Sequence, residues 1–176
     1  MKESKRDNAK SGPKVAVSFV CMGNICRSPT AEAVMRHLVH EAGLEATITI
    51  DSAGTGDWHV GEERDRRSRA VAMRRGMPIT GPARQFARSD FDRFDLVLAL
   101  DEENARDLRN LAPSDEARAR IRLLREFDAS VAPGAEVPDP YYGGPEGFEQ
   151  VFDLCLAACR GLLEHLRRSY HLEPEG

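Results

Sequence analysis

Short apolar segments alternate with helical patterns along this chain, and this alternation limits the possible folds more than any other feature. Four segments rich in apolar or β-branched residues are too short for core helices and predict buried strands at 14–20, 47–51, 95–100 and 120–124. Helical patterns occupy 28–42, about 62–75, 102–111 and about 146–168. Strands that alternate with helices form parallel sheets through right-handed crossovers. We therefore predict a single-domain α/β fold, a Rossmann-like parallel four-stranded sheet with helices on both faces.

The length and composition indicate one folded domain. A chain of 176 residues with 41% hydrophobic content can bury a single substantial core. The polar segment 1–13 predicts a flexible N-terminal tail and 169–176 a C-terminal tail, which leaves 14–168 as the domain. The segment 132–147 is rich in proline and glycine, which favours a long functional loop over a linker.

Charge and hydropathy exclude several classes of partner. The net charge of -4 does not favour binding to nucleic acid. No apolar run approaches the ~20 residues that span a bilayer. The segment 1–13 also has no apolar centre of the kind found in signal peptides or membrane anchors. We therefore expect a cytoplasmic protein with no membrane partner, whose four cysteines are reduced thiols rather than disulfides.

The first predicted strand ends immediately before Cys21, and a helix is predicted to follow after a short loop. Ser28 and Pro29 are typical of a helix N-cap followed by a proline at the first helical position. Cys21 would then lie close to a helix N-terminus, where free backbone N–H groups and the helix dipole attract anions. We expect Gly23 to provide the backbone conformation that lets successive N–H groups converge on one anion.

This arrangement predicts a nucleophile beside an oxyanion site. A cysteine in the field of a helix N-terminus is expected to be a thiolate at neutral pH. Arg27 offers a planar fork of N–H donors that can bind two oxygens of a tetrahedral oxyanion. An ordinary core cysteine is less consistent with these neighbours. A zinc site is disfavoured because Cys21 and Cys26 lack the common C-x2-C spacing, and a nucleotide-binding loop because the GK[ST] signature is absent.

The segment VCMGNICRSP at 20–29 resembles the phosphate-binding loop of the low-molecular-weight protein tyrosine phosphatases. Further segments follow in that family's order: DSAGT at 51–55, DWHVG at 57–61, ARQF at 83–86, LDEEN at 100–104 and DPYYG at 139–143. The resemblance covers roughly 14–166. It implies an enzyme that hydrolyses phosphotyrosine and small aryl phosphates through a phosphocysteine intermediate, without a metal or another cofactor.

The resemblance assigns the chemistry to three residues. Cys21 would attack phosphorus, and Arg27 would bind the phosphoryl oxygens. Asp139 would donate a proton to the leaving oxygen and then act as a base toward water. By itself, the Asp-Pro pair at 139–140 would indicate only a turn.

The resemblance also implies which residues hold the phosphate. The loop itself comprises Met22, Gly23, Asn24, Ile25 and Cys26. Asn24 and Ser52 would hold this loop through hydrogen bonds, and the Ser28 hydroxyl would stabilise the Cys21 thiolate. Gly81 stands where many members carry a histidine that supports the loop asparagine, so the sequence leaves open what supports Asn24 here.

Trp58, Tyr141 and Tyr142 would form the walls of the substrate pocket. Each would also suit an ordinary core, but their places in glycine-rich segments favour exposure. Aromatic walls suit a flat phenyl ring and set a depth that phosphoserine does not span. The implied partners are phosphotyrosine-containing proteins or peptides, with phosphate or other oxyanions in the active site.

The remaining cysteines and arginines receive separate interpretations. In the family, a cysteine at the position of Cys26 forms a reversible disulfide with the nucleophile, which would protect Cys21 from overoxidation. Cys155 and Cys159 lie on an apolar stripe of the last predicted helix and are expected to be core residues. The arginine-rich stretch 63–75 favours a solvated helix face over a basic rim for acidic phosphopeptides.

Three alternative functions are open at this point. A protein-arginine phosphatase is the nearest, although similar proteins of that type tend to carry threonine where this loop has Ile25. An arsenate reductase would need further cysteines near the third strand, and none occurs between Cys26 and Cys155. A silent phosphate-binding module would typically lack the nucleophile or the acid, whereas Cys21 and Asp139 are both present.

Overall fold

Four parallel strands form the centre of the structure, a computed structural model that describes residues 12–174. They are β1 Val15–Cys21, β2 Ile48–Gly54, β3 Leu96–Ala99 and β4 Ile121–Leu123. The order across the sheet is β2-β1-β3-β4, and every neighbouring pair is parallel. The predicted parallel four-stranded sheet is therefore confirmed, although β2 continues past its predicted end at 51 to Gly54.

The described residues form five α-helices around the sheet: α1 Arg27–Glu41, α2 Arg66–Arg74, α3 Glu102–Leu111, α4 Asp115–Ala119 and α5 Pro145–Tyr170. Two short 3-10 helices lie at Arg88–Asp92 and Leu124–Phe127. The sequence pattern does not predict α4, which is short and capped by the Ser114 hydroxyl. Within residues 12–174, none of the helices is both long enough and apolar enough to span a membrane.

Two helix boundaries differ from the prediction. The second helix was expected near 62, but α2 begins at Arg66 because the Asp65 carboxylate caps it by accepting a hydrogen bond from the Arg67 N–H. The last helix, α5, continues to Tyr170, and Leu172 beyond it is buried. The last helix and the residues packed behind it therefore extend beyond the predicted helix end near 168.

Strand β1 separates two hydrophobic layers because its side chains alternate between the two faces of the sheet. Val17, Phe19 and Cys21 pack in a layer with α1 and α5. Val20 packs in the opposite layer with α3. Such burial on both faces is typical of the central strand of a parallel sheet that is covered by helices on each side.

The carboxyl ends of the strands meet at one edge of the sheet, which is where parallel sheets bind ligands. Cys21, at the end of β1, is paired with Gly54, and Val20 is paired with Ala99. The loop that leads into α1 and the loop that leads into α3 therefore begin side by side. This edge brings together segments that are far apart in sequence.

Candidate active site

Cys21 is the last residue of β1, and its side chain is buried. Its Sγ lies 2.9 Å from the Ser28 Oγ. The prediction that Ser28 is a helix N-cap is wrong, because α1 begins at Arg27 and Cys26 occupies the N-cap position without a side-chain hydrogen bond. Ser28 lies instead inside the first turn, where its hydroxyl contacts the thiol.

Asn24 is the loop residue with a left-handed backbone conformation, with a φ of 58°. Asparagine adopts this region more readily than most residues. A Cβ at Gly23 would lie 3.0 Å from Cδ2 of His59, so a larger residue there would require that ring to shift. The end of β2 also approaches the loop closely: a Cβ at Gly54 would lie 2.7 Å from the Met22 carbonyl oxygen.

The Asn24 side chain is buried, and all of its hydrogen-bonding capacity is used. Its Nδ2 donates to Ser28 Oγ at 2.8 Å and to Ser52 Oγ at 3.0 Å. Its Oδ1 accepts from Arg64 Nη2 at 2.9 Å and from the backbone N–H of Arg84 at 3.0 Å. These four hydrogen bonds hold the left-handed residue in place.

The hydroxyl of Ser28 is oriented toward sulfur by the same network. Because its Oγ already accepts a hydrogen bond from Asn24, its single proton is available to another acceptor. The Cys21 sulfur at 2.9 Å is closer than the Ala53 carbonyl oxygen at 3.4 Å. We infer that Ser28 donates to the sulfur.

Arg64 is a buried residue of this network that the sequence pattern does not predict. Its Nε donates to the Asn24 carbonyl oxygen at 3.0 Å, in addition to the contact with Oδ1. Its Nη2 lies 3.3 Å from Ser52 Oγ, and its Nη1 donates to the carbonyl oxygens of Thr80 at 2.7 Å and Gly81 at 3.1 Å. Arg64 therefore supports Asn24 from a different segment from the one that carries Gly81.

Arg27 is a second buried cation at the site. Its Nη1 donates to Asp101 Oδ2 at 2.5 Å and to the Val137 carbonyl oxygen at 3.0 Å. Asp101 also caps α3, since its Oδ1 accepts from the Asn104 N–H at 2.7 Å. Burial acts to lower the pKa of Arg27, but the negative charges of Cys21 and Asp101 outweigh burial, and the pKa is raised.

Asp139 lies in the loop before α5 and lines the same cavity as Cys21. Its Oδ2 is 3.9 Å from Arg27 Nη2, and its Oδ1 accepts from the Tyr141 N–H at 3.0 Å. The side chain is 38% exposed, so water and a ligand can reach it. Asp101 is less available to a ligand than Asp139, because both of its carboxylate oxygens accept hydrogen bonds from neighbouring residues.

A cavity of about 230 Å³ brings the predicted site residues together, and its walls are Cys21, Met22, Gly23, Ile25, Cys26, Arg27, Trp58, His59, Asp139, Tyr141 and Tyr142. Asn24, Ser28 and Ser52 do not line it but are buried around the loop. His59 was not predicted; its Nδ1 lies 2.7 Å from the Glu62 carboxylate. Within residues 12–174, no group of three or more His, Cys, Asp or Glu side chains is arranged to hold a metal.

The aromatic residues form the mouth of this cavity. Trp58 is 66% exposed and Tyr142 is 93% exposed, so both stand at the rim rather than in the core. The rings of Tyr141 and Tyr142 meet edge to face with centroids 4.9 Å apart. The Arg67 guanidinium lies 5.3 Å from the Tyr141 ring centroid, a cation–π distance.

All four cysteines are free thiols, but they fall into two groups. Cys26 is at the cavity, and burial, together with the charges of Asp65 and Cys21, raises its pKa to about 12. Cys155 and Cys159 pack in the layer between the sheet and α5, which confirms the prediction that they are core residues. Burial also raises the pKa of Cys155 to about 12.

Comparison with known proteins agrees with this geometry. The model of a family described as low molecular weight phosphotyrosine protein phosphatase matches residues 16–172. The chain belongs to this phosphatase family. A low molecular weight protein-tyrosine-phosphatase of Streptomyces coelicolor is 53% identical to this phosphatase over 152 residues, which are 86% of this chain and 93% of the relative.

Solved structures of similar proteins share the fold. A protein tyrosine phosphatase from Entamoeba histolytica, crystallised with Hepes in the active site, has a TM-score of 0.84 and 38% identity; the match covers 89% of this chain and 99% of that one. A Drosophila arginine phosphatase has a TM-score of 0.80 and 32% identity; the match covers 86% of this chain and 97% of that one. The predicted fold and the enzyme class, a hydrolase of the protein-tyrosine phosphatase type, are confirmed.

Replacement of Arg64 by lysine tests how far this phosphatase depends on the buried guanidinium. Lysine keeps the charge but cannot form the forked set of hydrogen bonds. We expect Arg64→Lys to lower kcat/KM by on the order of 10²-fold, because a shifted loop misplaces the reacting groups. Arg66→Lys, at an exposed arginine nearby, is the control. Unchanged kcat/KM and unchanged affinity for inorganic phosphate in Arg64→Lys would show that the loop keeps its shape without Arg64.

Proposed function

We propose that this chain hydrolyses phosphotyrosine in proteins through a covalent phosphocysteine. The observation that carries the proposal is the convergence of three groups on one cavity. They are a buried thiol with a hydroxyl at 2.9 Å, a buried guanidinium held by a carboxylate, and an accessible carboxylate 3.9 Å from that guanidinium. Hydrolysis of a phosphate ester needs a nucleophile, a stabiliser of negative charge and a proton donor, and the three groups match these needs.

The proposed binding mode uses the loop from Cys21 to Arg27. Backbone N–H groups at the start of α1 would donate to the phosphoryl oxygens, and the helix dipole would favour their negative charge. The Arg27 guanidinium would bind two of these oxygens. Its contacts with Asp101 and Val137 hold it at a fixed angle, so little ordering is needed when the ligand binds.

The first chemical step transfers the phosphoryl group to sulfur. The Cys21 sulfur attacks phosphorus, an S–P bond forms, and the P–O bond to the tyrosine oxygen breaks. Asp139 donates its proton to that oxygen, so tyrosine leaves as a neutral phenol. Arg27 and the loop N–H groups stabilise the charge on the three phosphoryl oxygens in the transition state.

The second step releases phosphate. Asp139, now a carboxylate, accepts a proton from water while the water oxygen attacks phosphorus, and the S–P bond breaks. The electron pair of that bond returns to Cys21 as a thiolate. The Ser28 hydroxyl at 2.9 Å from the sulfur stabilises this thiolate and makes it a better leaving group.

Phosphoarginine is the second candidate substrate, because the chain resembles the Drosophila arginine phosphatase in structure. The cavity of this chain favours the phenyl ring. Ile25, Trp58 and Tyr141 give it apolar and aromatic walls. A guanidinium would lose hydration against these apolar walls, which costs free energy, whereas a phenyl ring has no polar groups to desolvate.

The proposed partners are phosphotyrosine proteins of the cytoplasm. Four free thiols are typical of a reducing compartment. Phosphate and other oxyanions are expected to occupy the loop and compete with substrate. The Entamoeba relative was crystallised with Hepes, a sulfonate, in its active site, which supports oxyanion binding by this type of site.

A panel of matched peptides tests the proposed substrate. The same peptide carries phosphotyrosine, phosphoarginine or phosphoserine, and initial rates give kcat/KM for each. We expect the phosphotyrosine peptide to have the highest kcat/KM and the phosphoserine peptide to be a poor substrate. A higher value for phosphoarginine would reverse the order of the two candidates. An arsenate reduction assay on the same preparation should show no activity.

The role of Asp139 is tested by the dependence of the rate on the leaving group. A tyrosine phenoxide, with a conjugate-acid pKa of about 10, needs a proton to leave well. We expect Asp139→Asn to slow phosphotyrosine hydrolysis by roughly 10²–10⁴-fold and to slow a strongly electron-poor aryl phosphate much less. Asp57→Asn is the control, because that exposed aspartate is outside the cavity walls. An equal loss with both substrates would make Asp139 a structural turn residue.

Cys26 is proposed to capture an oxidised Cys21. Peroxide would convert the Cys21 thiolate to a sulfenic acid and release hydroxide. The Cys26 thiolate would then attack that sulfur, form a disulfide and release a second hydroxide. Burial and the charge of Asp65 raise the pKa of Cys26, and both remain when Cys21 is oxidised, so little of Cys26 is thiolate at neutral pH. The capture step should therefore be slow.

The pH dependence of disulfide closure checks this proposal. Below the pKa of Cys26, the thiolate fraction, and with it the closure rate, should rise by about tenfold per pH unit. The oxidised enzyme is freed of peroxide, and the Cys21–Cys26 disulfide is followed by mass spectrometry between about pH 7 and about pH 9. Cys26→Ser should form no such disulfide and recover poorly with thiol. A closure rate independent of pH would contradict the role of the raised pKa.

A further inference from the structure

The large apolar side chains that remain exposed in residues 12–174 concentrate around the active site. They are Met22, Trp58, Val60, Met73, Leu111, Tyr141 and Tyr142. Four of them, Met22, Trp58, Tyr141 and Tyr142, line the cavity over Cys21. Exposed apolar side chains that cluster beside a cavity are typical of a binding surface.

A second cavity of about 290 Å³ shares Met22 and Trp58 with the first. We call it the flanking groove, and its main walls are Met22, Trp58, Phe86, Glu103, Asp107 and Leu111. Met22 and Trp58 line both cavities and so form the ridge between them. A ligand that occupies the active site is therefore directly adjacent to the flanking groove.

The ridge is held in place by close packing. A Cβ at Gly56 would lie 1.7 Å from the Trp58 ring, so the indole rests directly against the glycine backbone. The groove wall beside it is fixed by a hydrogen bond from Gln85 Nε2 to the Thr55 carbonyl oxygen at 3.2 Å. The groove therefore exists before a ligand binds.

The far wall of the flanking groove carries two negative charges. Glu103 and Asp107 are one turn apart on α3, and both are exposed. Neither forms a salt bridge with any residue of 12–174, whereas their neighbour Glu102 is paired with Arg109 at 2.9 Å. Like charges at this spacing repel each other, and a cation between them would relieve that repulsion.

The arginine-rich stretch does not offer an equivalent site for an acidic ligand. Four of its exposed or half-buried arginines already pair with carboxylates: Arg67 with Asp65, Arg69 with Glu63, Arg74 with Glu149, and Arg75 with Glu149 and Asp153. This agrees with the prediction of a solvated helix face. The carboxylates of the flanking groove that have no salt bridge within residues 12–174, Glu103 and Asp107, are therefore the charged groups that distinguish the groove from this stretch.

We propose that the flanking groove binds a lysine or arginine side chain of the substrate, close in sequence to its phosphotyrosine. The apolar stem of that side chain would lie along Met22, Trp58 and Leu111, and its charged end would reach Glu103 and Asp107. An extended peptide advances about 3.3 Å per residue, so a residue within a few positions can reach an adjacent cavity. The proposal rests on phosphotyrosine hydrolysis as the proposed function and adds a preference for basic flanking sequence.

Matched phosphotyrosine peptides test this preference. Lysine, norleucine or glutamate is placed in turn at each of the positions flanking the phosphotyrosine, and kcat/KM is measured at low ionic strength. We expect lysine to exceed norleucine by roughly three- to tenfold at one or two positions, and the advantage to shrink at high salt. Diaminopropionate, which has the charge on a short stem, should show much less advantage.

Variants of the groove show whether the lysine preference comes from Glu103 and Asp107 or from the overall charge of the protein. The double variant Glu103→Gln with Asp107→Asn should remove the lysine advantage, while Glu102→Gln should keep it. Turnover of a small aryl phosphate should be the same in all forms, because that substrate does not reach the groove. A lysine advantage that survives the double variant, or that diaminopropionate matches, would overturn the proposal, as would a preference for glutamate. Failure of the unmodified enzyme on every phosphotyrosine peptide would instead refute the proposed function.

Discussion

The four hydrogen bonds of the Asn24 side chain are the interaction on which the rest of the site depends. They hold a buried, left-handed residue at the centre of the phosphate-binding loop. Through Ser28 the same network reaches the Cys21 sulfur, so the shape of the loop and the chemistry of the nucleophile have one common support. A buried amide with all donors and acceptors satisfied is rigid, because each alternative position would leave polar groups unpaired.

The parallel sheet explains why so many distant segments meet at this loop. The end of β1 carries Cys21, the end of β2 carries Ser52 and closes against the loop at Gly54, and the residue that caps α3 after β3 is Asp101. The ends of these three strands therefore contribute the nucleophile, the loop support and the anchor for the Arg27 guanidinium. A sheet edge of this kind allows the chemistry to be built on rigid elements, with only Asp139 placed on a longer loop.

The sequence allowed the prediction of the parallel sheet and of the residues that surround Cys21 because their signals are local. The strand patterns, the helix patterns and the loop motif each involve residues that are close together in sequence. The sequence did not predict what three-dimensional packing decides: Ser28 contacts sulfur instead of capping α1, and the loop residue with a left-handed backbone is Asn24.

Arg64 shows why part of the site could not be predicted. It is one of six arginines between 63 and 75, and no periodicity separates it from its exposed neighbours. Its importance comes from contacts with Asn24 and Gly81, which lie far from it in sequence. Tertiary contacts of a single charged side chain leave no pattern in one sequence, so only the structure identifies this residue.

The most direct test of this account asks whether the Cys21 sulfur carries the phosphoryl group during turnover. The enzyme is mixed with excess phosphotyrosine peptide, quenched in denaturant during the first turnovers, digested and analysed by mass spectrometry. The account predicts one phosphoryl group on the peptide that contains Cys21 in the unmodified enzyme and none in Cys21→Ser, which should be inactive. Turnover by Cys21→Ser, or a phosphoryl group found on a different residue, would contradict it.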